Sequence, residues 1–457
     1  MSMSDHTSQS KPFIRWRVLR IVVGLLAVFS LVAAACGDDD DATQTQPAAD
    51  EPAPAEPADE PEPAPAEPAD EPEPAPAVVE TLKIGVIESQ TSFCAPVDVP
   101  ALAGIEVAAD QINETGFEVG GTTYNIELII EDGQSSNEGA VVALNKLIGD
   151  DGVDIVIGPG CGAYGAPGLG AIAQQNEVIL FNSSPAPLLE YPDSTEFIAS
   201  GEAQFLFKGE PKSGNAAAGQ AALPFAFFDK EDIDRVYILV QNDDGGNFYG
   251  GSFGAYMESQ GKTVENEYYD PTTLDYSGIL QRVKDFEPDL FVYGYLIDPA
   301  LAILTQALEL DVSPRYYGYG ARIDDATERA VGGPIGIPWM GLEYPRSLLY
   351  ANDPDIAALA PLVAEKLGRD IQPGDSYAMY HYHYLPILVQ AMQAAGTVSD
   401  TTAIAAALEA GTFNVGGVGE AGPLVFDQHS MNFPADGCLV NIDGTVECRT
   451  FPQPPED

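Results

Sequence analysis

The stretch from Asp154 to Ser184 constrains the fold of this chain more than any other. It begins with the apolar run Ile155-Val-Ile157, turns through Gly158-Pro-Gly-Cys-Gly, passes along a helical pattern and reaches a second apolar run that ends in Ser183-Ser184. A buried parallel strand that turns through glycines into its crossover helix produces this pattern. In an open α/β sheet, ligands lie outside the carboxyl ends of strands, where helix N-termini attract anions. The stretch therefore predicts half of a small-molecule site.

Strand and helix patterns alternate after residue 80, which predicts parallel sheets with helices on both faces. The predicted strands lie at 82–87, 124–130, 235–240, 263–269, 290–293 and 315–317, near Leu424, and around the Asp443-Gly444 turn. The predicted helices lie from Leu102 to Ile112 and at 137–148, 215–228, 248–260, 276–285, 299–310, 354–367, 377–395 and 402–410. Residues 88–100 are predicted to form a loop. Residues 332–341 are rich in glycine and proline, which predicts a hinge or crossover.

The first 36 residues are predicted to be a targeting segment. Basic residues between Lys11 and Arg20 precede an apolar run, and the small residues Ala33-Ala34-Ala35 follow it. The apolar run is short for a transmembrane span, which needs about 20 residues. Because Cys36 comes next, the segment resembles a bacterial lipoprotein signal, in which the cysteine is acylated and becomes the mature N-terminus. We therefore expect an extracytoplasmic protein with a lipid anchor through Cys36. Plain secretion and an uncleaved anchor are the alternatives.

Residues 37–80 are predicted to form a disordered tether. The segment contains no basic residue, and the unit that spans residues 51–61 is repeated at 62–72. Proline at every second or third position disfavours helix and sheet, and the carboxylates repel one another. An extended polyproline-type segment of this length would hold a domain away from the membrane on the order of 100 Å.

The charge of the chain limits its partners. Twenty basic and seventy acidic residues give a net charge of −50. Nucleic acids and anionic membrane surfaces would repel such a chain, so neither is expected as a partner.

Several short motifs occur in an order that is more informative than any of them alone. They are the lipoprotein signal, the helix from Gly104 to Asn113, the turn Ile157-Gly-Pro-Gly-Cys161, the Ser183-Ser184 strand end, Phe248-Tyr-Gly250, Leu290-Phe-Val-Tyr293, and Gly422-Pro-Leu-Val-Phe-Asp427. Together they resemble the branched-chain amino-acid type of ABC-transporter substrate-binding proteins. The resemblance extends over nearly all of residues 81–450.

The resemblance implies an α/β protein with the type I periplasmic binding fold. Two doubly wound parallel-sheet lobes, joined by three hinge crossovers, would close over one small ligand. Lobe one would comprise residues 81–205 and 342–425. Lobe two would comprise residues 206–341 and 426–457.

The resemblance also implies a set of ligand-binding residues. Lobe one would contribute the loop after the first strand, the glycine turn and the serine strand end, namely Ser92, Phe93, Gly162, Ala163, Tyr164, Ser183 and Ser184. Lobe two would contribute Tyr249, Tyr295, Asp298 and Arg322. A ligand carboxylate would meet backbone N–H groups and hydroxyls in lobe one.

One position departs from the family pattern. Amino-acid-binding members carry a glutamate after the strand at 315–317 that accepts the ligand ammonium, whereas this chain has Arg322 there. An ammonium would be repelled by Arg322 and a carboxylate or carbonyl would be attracted. We therefore hypothesise a ligand other than a simple α-amino acid. The alternative is that Arg322 faces solvent or pairs with Asp324 or Asp325, and Asp298 supplies the acid.

Four cysteines follow the anchor, which suits disulfide bonds in an oxidising compartment. Cys438 and Cys448 flank the Asp443-Gly444 turn symmetrically, so a hairpin disulfide is predicted. In the implied fold, Cys94 and Cys161 would lie at neighbouring strand ends, where a bridge would brace the rim of the ligand site. A catalytic thiol is the alternative, although no histidine is placed to assist it.

Two further patterns have competing interpretations. Residues 160–165 satisfy the Gly-rich dinucleotide fingerprint, but the acidic residue expected about 20 positions later is missing. His381 and His383 point to different faces of one helix, so packing is a better interpretation than shared metal ligation. We therefore expect neither a cofactor nor a metal.

These observations predict a lipoprotein that captures a small polar organic ligand, such as an amino acid, an amide or an organic acid. It would deliver the ligand to an ABC permease in the membrane, as a monomer and without enzymatic chemistry. A receptor that signals without transport, a lipid-anchored enzyme and an adhesion lipoprotein are the alternatives.

Overall fold

A computed structural model describes residues 79–451 of the chain. Within that range the exceptions are residues 93, 162–167, 183–203, 210–220, 223, 243, 271, 295–296, 313–314, 320–338, 342–353, 372–374, 376, 416–422, 428, 433–434 and 441–445. The predicted signal with Cys36 and the predicted tether lie outside the described residues. Among the helices that the structure describes, none is long and apolar enough to cross a membrane.

Sixteen strands and ten α-helices are described, in an order that alternates through most of the chain. The strands are β1 (Val79–Glu88), β2 (Phe117–Val119), β3 (Thr122–Asp132), β4 (Ile155–Ile157), β5 (Ile179–Asn182), β6 (Leu206–Lys208), β7 (Arg235–Gln241), β8 (Thr263–Tyr269), β9 (Leu290–Gly294), β10 (Arg315–Tyr319), β11 (Trp339–Gly341), β12 (Thr412–Phe413), β13 (Leu424–Asp427), β14 (Ser430–Asn432), β15 (Ala435–Val440) and β16 (Val446–Phe451). The helices are α1 (Ala95–Asn113), α2 (Asn137–Gly149), α3 (Leu169–Gln175), α4 (Pro224–Phe227), α5 (Asp244–Ser259), α6 (Ser277–Phe286), α7 (Ile297–Glu309), α8 (Pro354–Leu367), α9 (Tyr377–Ala395) and α10 (Thr401–Ala410).

The strands form three sheets. The first has nine strands in the order β12-β13-β14-β6-β5-β4-β1-β3-β2, and its central strands from β6 to β3 are parallel. The second has four strands, all parallel, in the order β10-β9-β7-β8. In both sheets the chain starts in the middle and winds in both directions. This is the doubly wound topology that the alternating pattern predicts.

The apolar runs of the first sheet are buried on both faces, as the continuous run at 155–157 predicts. Ile155 and Ile157 of β4 pack in a core with α1, α9 and α10, whereas Val156 packs on the opposite face against α2 and α3. Successive side chains of a strand point to opposite faces, so a strand covered on both sides needs an apolar residue at every position.

Helix α1 crosses α9 at very close range. Gly104 of α1 lies so near the backbone of α9 that an added Cβ would be 2.0 Å from the carbonyl oxygen of Ala378. Only a residue without a side chain permits this approach. The crossing anchors α9, which belongs to the late part of the sequence, on the first sheet.

The second sheet is enclosed in the same way. Tyr237 and Leu239 of β7 pack with α6 and α7 on one face, and Val236 and Ile238 pack on the other face in a core that includes residues of α5. Each sheet therefore has its own core, in agreement with two α/β lobes.

The third sheet is small and antiparallel, in the order β11-β15-β16. Its register places Cys438 of β15 directly opposite Cys448 of β16. This is the pairing that the predicted hairpin disulfide requires; the bond itself stays a prediction.

The chain leaves or re-enters the first sheet three times. It leaves after β6 for the second sheet and for β11 of the third, returns for β12–β14, and leaves again for β15 and β16 of the third sheet.

Three features differ from the sequence-based expectations. The first sheet takes in residues 206–208 and 424–432, so it extends past the predicted ends of lobe one at 205 and 425. Antiparallel pairs occur among its outer strands, namely β2 with β3, β12 with β13 and β13 with β14, and only two residues separate β2 from β3 and β13 from β14. Helix α1 begins at Ala95, inside the predicted loop, because Pro96 lies in the first turn where no donor is needed.

Candidate functional site

The strand order of the first sheet reverses between β1 and β4. These two strands are hydrogen-bonded neighbours, and their crossover helices lead the chain away in opposite directions. The crevice outside the carboxyl ends of strands at such a reversal is the usual ligand site of an open α/β sheet. The loop after β1 and the turn after β4 are therefore the candidate site.

A disulfide bond joins the loop to the turn. Cys94 lies just before α1, Cys161 follows the glycine turn, and their Cα atoms are 5.5 Å apart. Both residues are buried. The bridge predicted from the resemblance is confirmed, and it holds together two segments that are 67 residues apart in sequence.

Asp98 forms a second link between the same two segments. Its Oδ2 accepts a hydrogen bond from the backbone N–H of Ser89 at 2.8 Å, and its Oδ1 accepts one from the N–H of Cys161 at 3.0 Å. The side chain is only 1% exposed. Asp98 lies in the first turn of α1, where the helix dipole favours a negative charge.

Two serines extend these links to β3. The hydroxyl of Ser89 donates to the carbonyl of Cys161 at 3.2 Å and accepts from the N–H of Ser135 at 3.0 Å. The hydroxyl of Ser135 donates to the carbonyl of Thr91 at 2.9 Å and accepts from the N–H of Cys94 at 3.0 Å. The ends of β1, β3 and β4 thus form one hydrogen-bonded rim, which we call the lobe-one rim (residues 88–92, 94–98, 132–136 and 158–161).

Asp132 holds the outer part of this rim. Its carboxylate accepts hydrogen bonds from the N–H of Gln90 at 3.0 Å, the hydroxyl of Thr91 at 2.7 Å and the N–H of Gln134 at 2.8 Å. Burial alone would raise the pKa of Asp132, but the bonds from Thr91, Gln134 and Gln90 outweigh it and hold the pKa below its ordinary value of 3.8.

The lowered pKa of Asp132 predicts a pH-dependent contribution to stability. A carboxyl whose pKa is lower in the folded state stabilises the fold above its unfolded pKa, and the contribution is lost as the pH falls through the folded pKa. The loss of unfolding free energy in Asp132→Asn is therefore expected to be greatest near neutral pH and to shrink below about pH 3.8. Thermal denaturation from neutral to acidic pH would test this. Thr91→Val should show the same trend more weakly, and a constant difference at every pH would contradict the assignment.

The glycines of the turn are needed because it approaches β1 closely. Gly158 has φ +107, and an added Cβ would lie 2.2 Å from the carbonyl oxygen of Ile87. At Gly160 an added Cβ would lie 2.1 Å from Oε2 of Glu88 and 2.7 Å from Oδ1 of Asp98. The Gly-Pro-Gly sequence therefore serves close packing against β1 and Asp98.

Helix α9 adds a histidine beside the same strand end. His381 donates through Nδ1 to the carbonyl of Tyr377 at 2.8 Å, and its Nε2 lies 3.7 Å from Oε1 of Glu88. His381 and His383 are both buried. Rings pack around His381 within the helix, with centroid distances of 6.2 Å to Tyr377 and 4.9 Å to Tyr384. This agrees with the predicted packing role and adds a contact to Glu88 that the sequence did not indicate.

The structure describes some of the predicted site residues and not others. Ser92 lies in the lobe-one rim with φ +72, two residues before Cys94. Tyr249 lies in α5 and Asp298 in the first turn of α7, which begins before the position predicted for that helix. The side chains of Tyr249 and Asp298 lie outside the described part of the chain. The residues that lie entirely outside it are Phe93, Gly162, Ala163, Tyr164, Ser183, Ser184, Tyr295 and Arg322.

The lobe-one rim also contains functional candidates that the sequence did not reveal. Ser89 belongs to the loop after β1 that the resemblance assigned to the ligand, but no motif marks Asp98 or Ser135, and their partners come from distant segments. The one local signal was an acidic residue two positions after Pro96, a combination that is common at helix starts.

The chain has two doubly wound sheets with parallel central strands, and it leaves or re-enters the first sheet three times. A hydrogen-bonded rim lies where the strand order of that sheet reverses. These features define the type I periplasmic binding fold. The sequence profile of the family described as periplasmic binding protein matches residues 81–441. The chain belongs to that family, and its predicted resemblance to the branched-chain amino-acid type of ABC-transporter binding proteins is confirmed.

Individual relatives are distant in sequence. A Leu/Ile/Val-binding protein from Rhizobium johnstonii is 24% identical over 333 residues, which is 72% of this chain and 84% of the relative. The crystal structure of a leucine-binding protein from Thermotoga maritima is 20% identical with a TM-score of 0.63, and the match covers 80% of this chain and 97% of that one.

A solute-binding protein from R. palustris in complex with 4-hydroxybenzoate is 18% identical with a TM-score of 0.64 over 82% of this chain and 98% of that one. A branched-chain amino-acid-binding protein from Streptococcus pneumoniae in complex with isoleucine is also 18% identical with a TM-score of 0.64, over 81% and 99%. Fold similarity therefore does not distinguish between an aromatic acid and an amino acid as the ligand.

Proposed function

We propose that this protein is an extracytoplasmic solute-binding lipoprotein that captures a small carboxylic acid between two lobes and delivers it to an ABC permease. The observation that supports it most is the lobe-one rim, tied at the reversal of strand order in a chain that the family profile matches over residues 81–441. The relatives found are solute-binding proteins, which supports binding without catalysis.

The carboxylate is the chemistry that the relatives' ligands share. Isoleucine and 4-hydroxybenzoate both carry one, whereas only isoleucine carries an ammonium. We propose that Ser92, Ser183, Ser184 and the turn at 162–164 hold the ligand, because hydroxyls and backbone N–H groups at strand ends suit an anion. Arg322 in place of an acidic residue would favour a second anion or a carbonyl and disfavour an ammonium.

A screen with matched pairs tests both parts of this proposal. L-Leucine is compared with 4-methylpentanoate, which lacks only the ammonium, and 4-hydroxybenzoate with 4-hydroxybenzyl alcohol, which lacks the carboxylate. We expect the acid of the second pair to raise the melting temperature and the alcohol to have no effect. At 100 times its Kd, a ligand stabilises the folded state by about 2.7 kcal/mol.

The outcomes of the screen separate the hypotheses. If 4-methylpentanoate binds at least as tightly as leucine, the ligand ammonium has no acidic partner, as Arg322 suggests. If leucine binds far more tightly than the other three compounds, Arg322 does not face the ligand and Asp298 becomes the candidate acid. Small-angle scattering with and without the bound compound should show closure of the lobes, and an unchanged profile would contradict capture between them.

The anchor is tested separately from the ligand. Cells that express the full chain and are fed a labelled fatty acid should incorporate the label, and Cys36→Ala should abolish the incorporation. Labelling that persists in Cys36→Ala would contradict acylation at this cysteine.

A further inference from the structure

Asp98 has a place in the lobe-one rim that no motif assigns. It is a buried acid whose two carboxylate oxygens bind two different segments, the loop after β1 through Ser89 and the turn after β4 through Cys161. The disulfide bond joins the same segments at Cys94 and Cys161, and the hydroxyl of Ser89 adds a bond to the carbonyl of Cys161. Several links between one pair of loops are more than chain connectivity requires.

The links lie next to the positions where ligand contacts are proposed. Cys161 directly precedes the turn at 162–164, and Ser89 lies three residues before Ser92. A displacement of either backbone segment would therefore be transmitted to the groups that are proposed to hold the ligand carboxylate. Binding sites of this kind depend on groups held in place before the ligand arrives.

The carboxylate is better suited to this position than a neutral side chain. Two N–H donors converge on it from different segments, and each of its two oxygens accepts one of them. An amide at residue 98 would offer one acceptor oxygen, and its NH₂ group would face an N–H donor. The disulfide alone restrains the loops at one point, whereas the carboxylate also fixes their relative orientation.

We propose that Asp98 is a positioning residue for the ligand site, holding the loop after β1 and the turn after β4 at the separation that a small ligand bridges. The inference rests on the proposed function, because it gives the two loops a ligand. It concerns how the loops are held, which can be measured with or without that ligand.

The test uses Asp98→Asn in the full, oxidised chain, with Asn113→Ala as the matched control. Asn113 lies at the other end of α1 and also bonds backbone groups of a neighbouring segment, the N–H and carbonyl of Ile126. Ile126 pairs with Leu82, far from the carboxyl end of β1, so the control perturbs the same helix away from the rim. Hydrogen exchange is measured at residues 89–94 and 158–165, and Kd is measured for 4-hydroxybenzoate and L-leucine.

Asp98→Asn is expected to speed exchange in both segments at least about tenfold, and to raise the Kd of whichever probe binds the wild type by a similar factor. Asn113→Ala should lower the melting temperature while leaving the rim exchange and the Kd unchanged. Ser89→Ala removes the Ser89–Cys161 hydroxyl bond without changing charge, and should shift both readouts in the same direction by a smaller factor. Asp98→Glu keeps the charge but displaces both acceptor oxygens from the N–H groups of Ser89 and Cys161, and its rim exchange decides the matter if Asp98→Asn does not fold.

The failures are distinguishable. If the wild type binds neither probe, the ligand proposal is at fault, and the exchange data alone decide whether Asp98 holds the loops. If Asp98→Asn and Ser89→Ala destabilise the protein as Asn113→Ala does, with rim exchange and Kd unchanged, Asp98 is a structural residue only and the inference is overturned.

Discussion

Replacing Cys94 and Cys161 together by alanine is expected to lower the free energy of unfolding by about 4 kcal/mol. The bond closes a loop with a sequence separation of 67, so cutting it restores a large amount of conformational entropy to the unfolded chain. The loss should appear as a lower denaturation midpoint in guanidinium chloride, measured without ligand.

Single variants provide the control for this experiment. Cys94→Ala and Cys161→Ala each break the same bond, so either one should cost about as much as the double replacement. In a protein that carries Cys438→Ala and Cys448→Ala, reductant should lower the midpoint from its oxidised value by about as much as the Cys94/Cys161 double replacement lowers it from wild type. Strictly additive losses in the two single variants, or an unchanged midpoint in the double variant, would contradict a bond between them.

Gly104→Ala is expected to destabilise the protein by about 3 kcal/mol, the upper part of the range for overpacking. The added methyl would lie 2.0 Å from the carbonyl oxygen of Ala378 and 2.7 Å from its carbonyl carbon. These are backbone atoms in the middle of a buried crossing, so no side-chain rotation relieves the clash. Helices α1 and α9 would have to separate, which opens the core that both share with the first sheet.

The same substitution at Gly149 is the matched control. Gly149 ends α2, and an added Cβ would meet nothing within 4 Å. Because alanine favours helix over glycine, Gly149→Ala should be neutral or stabilise the protein by up to about 1 kcal/mol. Urea unfolding of the two variants compares them directly. Equal effects would mean that the contact between α1 and α9 is looser than the structure indicates.

Much of the fold could be predicted from local patterns. Strand β8 and helices α8 and α9 have the predicted bounds. In α8 the buried positions Ile356, Leu359 and Val363 recur at helical spacing, which is the pattern that periodicity detects. Strand β6 was not predicted, because Leu206–Lys208 is too short to show an alternating hydrophobic pattern. The first sheet therefore includes residues that the sequence did not indicate as a strand. The prediction placed the start of α1 too late because the small and polar residues of 88–100 indicated a loop, whereas the helix begins at Ala95 with Pro96 in its first turn, where proline is tolerated.

The sequence indicated the sheet edge at which the candidate site is expected, but not the hydrogen bonds that hold its loops together. Apolar runs that end in glycines and serines indicate the carboxyl edge of a parallel sheet, which is a property of one segment at a time. That Asp98 would bond Cys161, 63 positions away, or that His381 would lie beside Glu88, depends on which elements become neighbours.

The sequence by itself determined the alternation of strands and helices, the likeness to a binding-protein family and the edge of the sheet where a ligand is expected. These features are predictable because the spacing of apolar residues within a segment indicates which of its faces is buried. Tertiary structure decided that Asp98 bonds Ser89 and Cys161 at that edge, that His381 lies beside Glu88, and that Gly104 lets α1 approach α9 closely. These contacts form only when packing brings separate segments within hydrogen-bonding distance, and no local pattern encodes that distance.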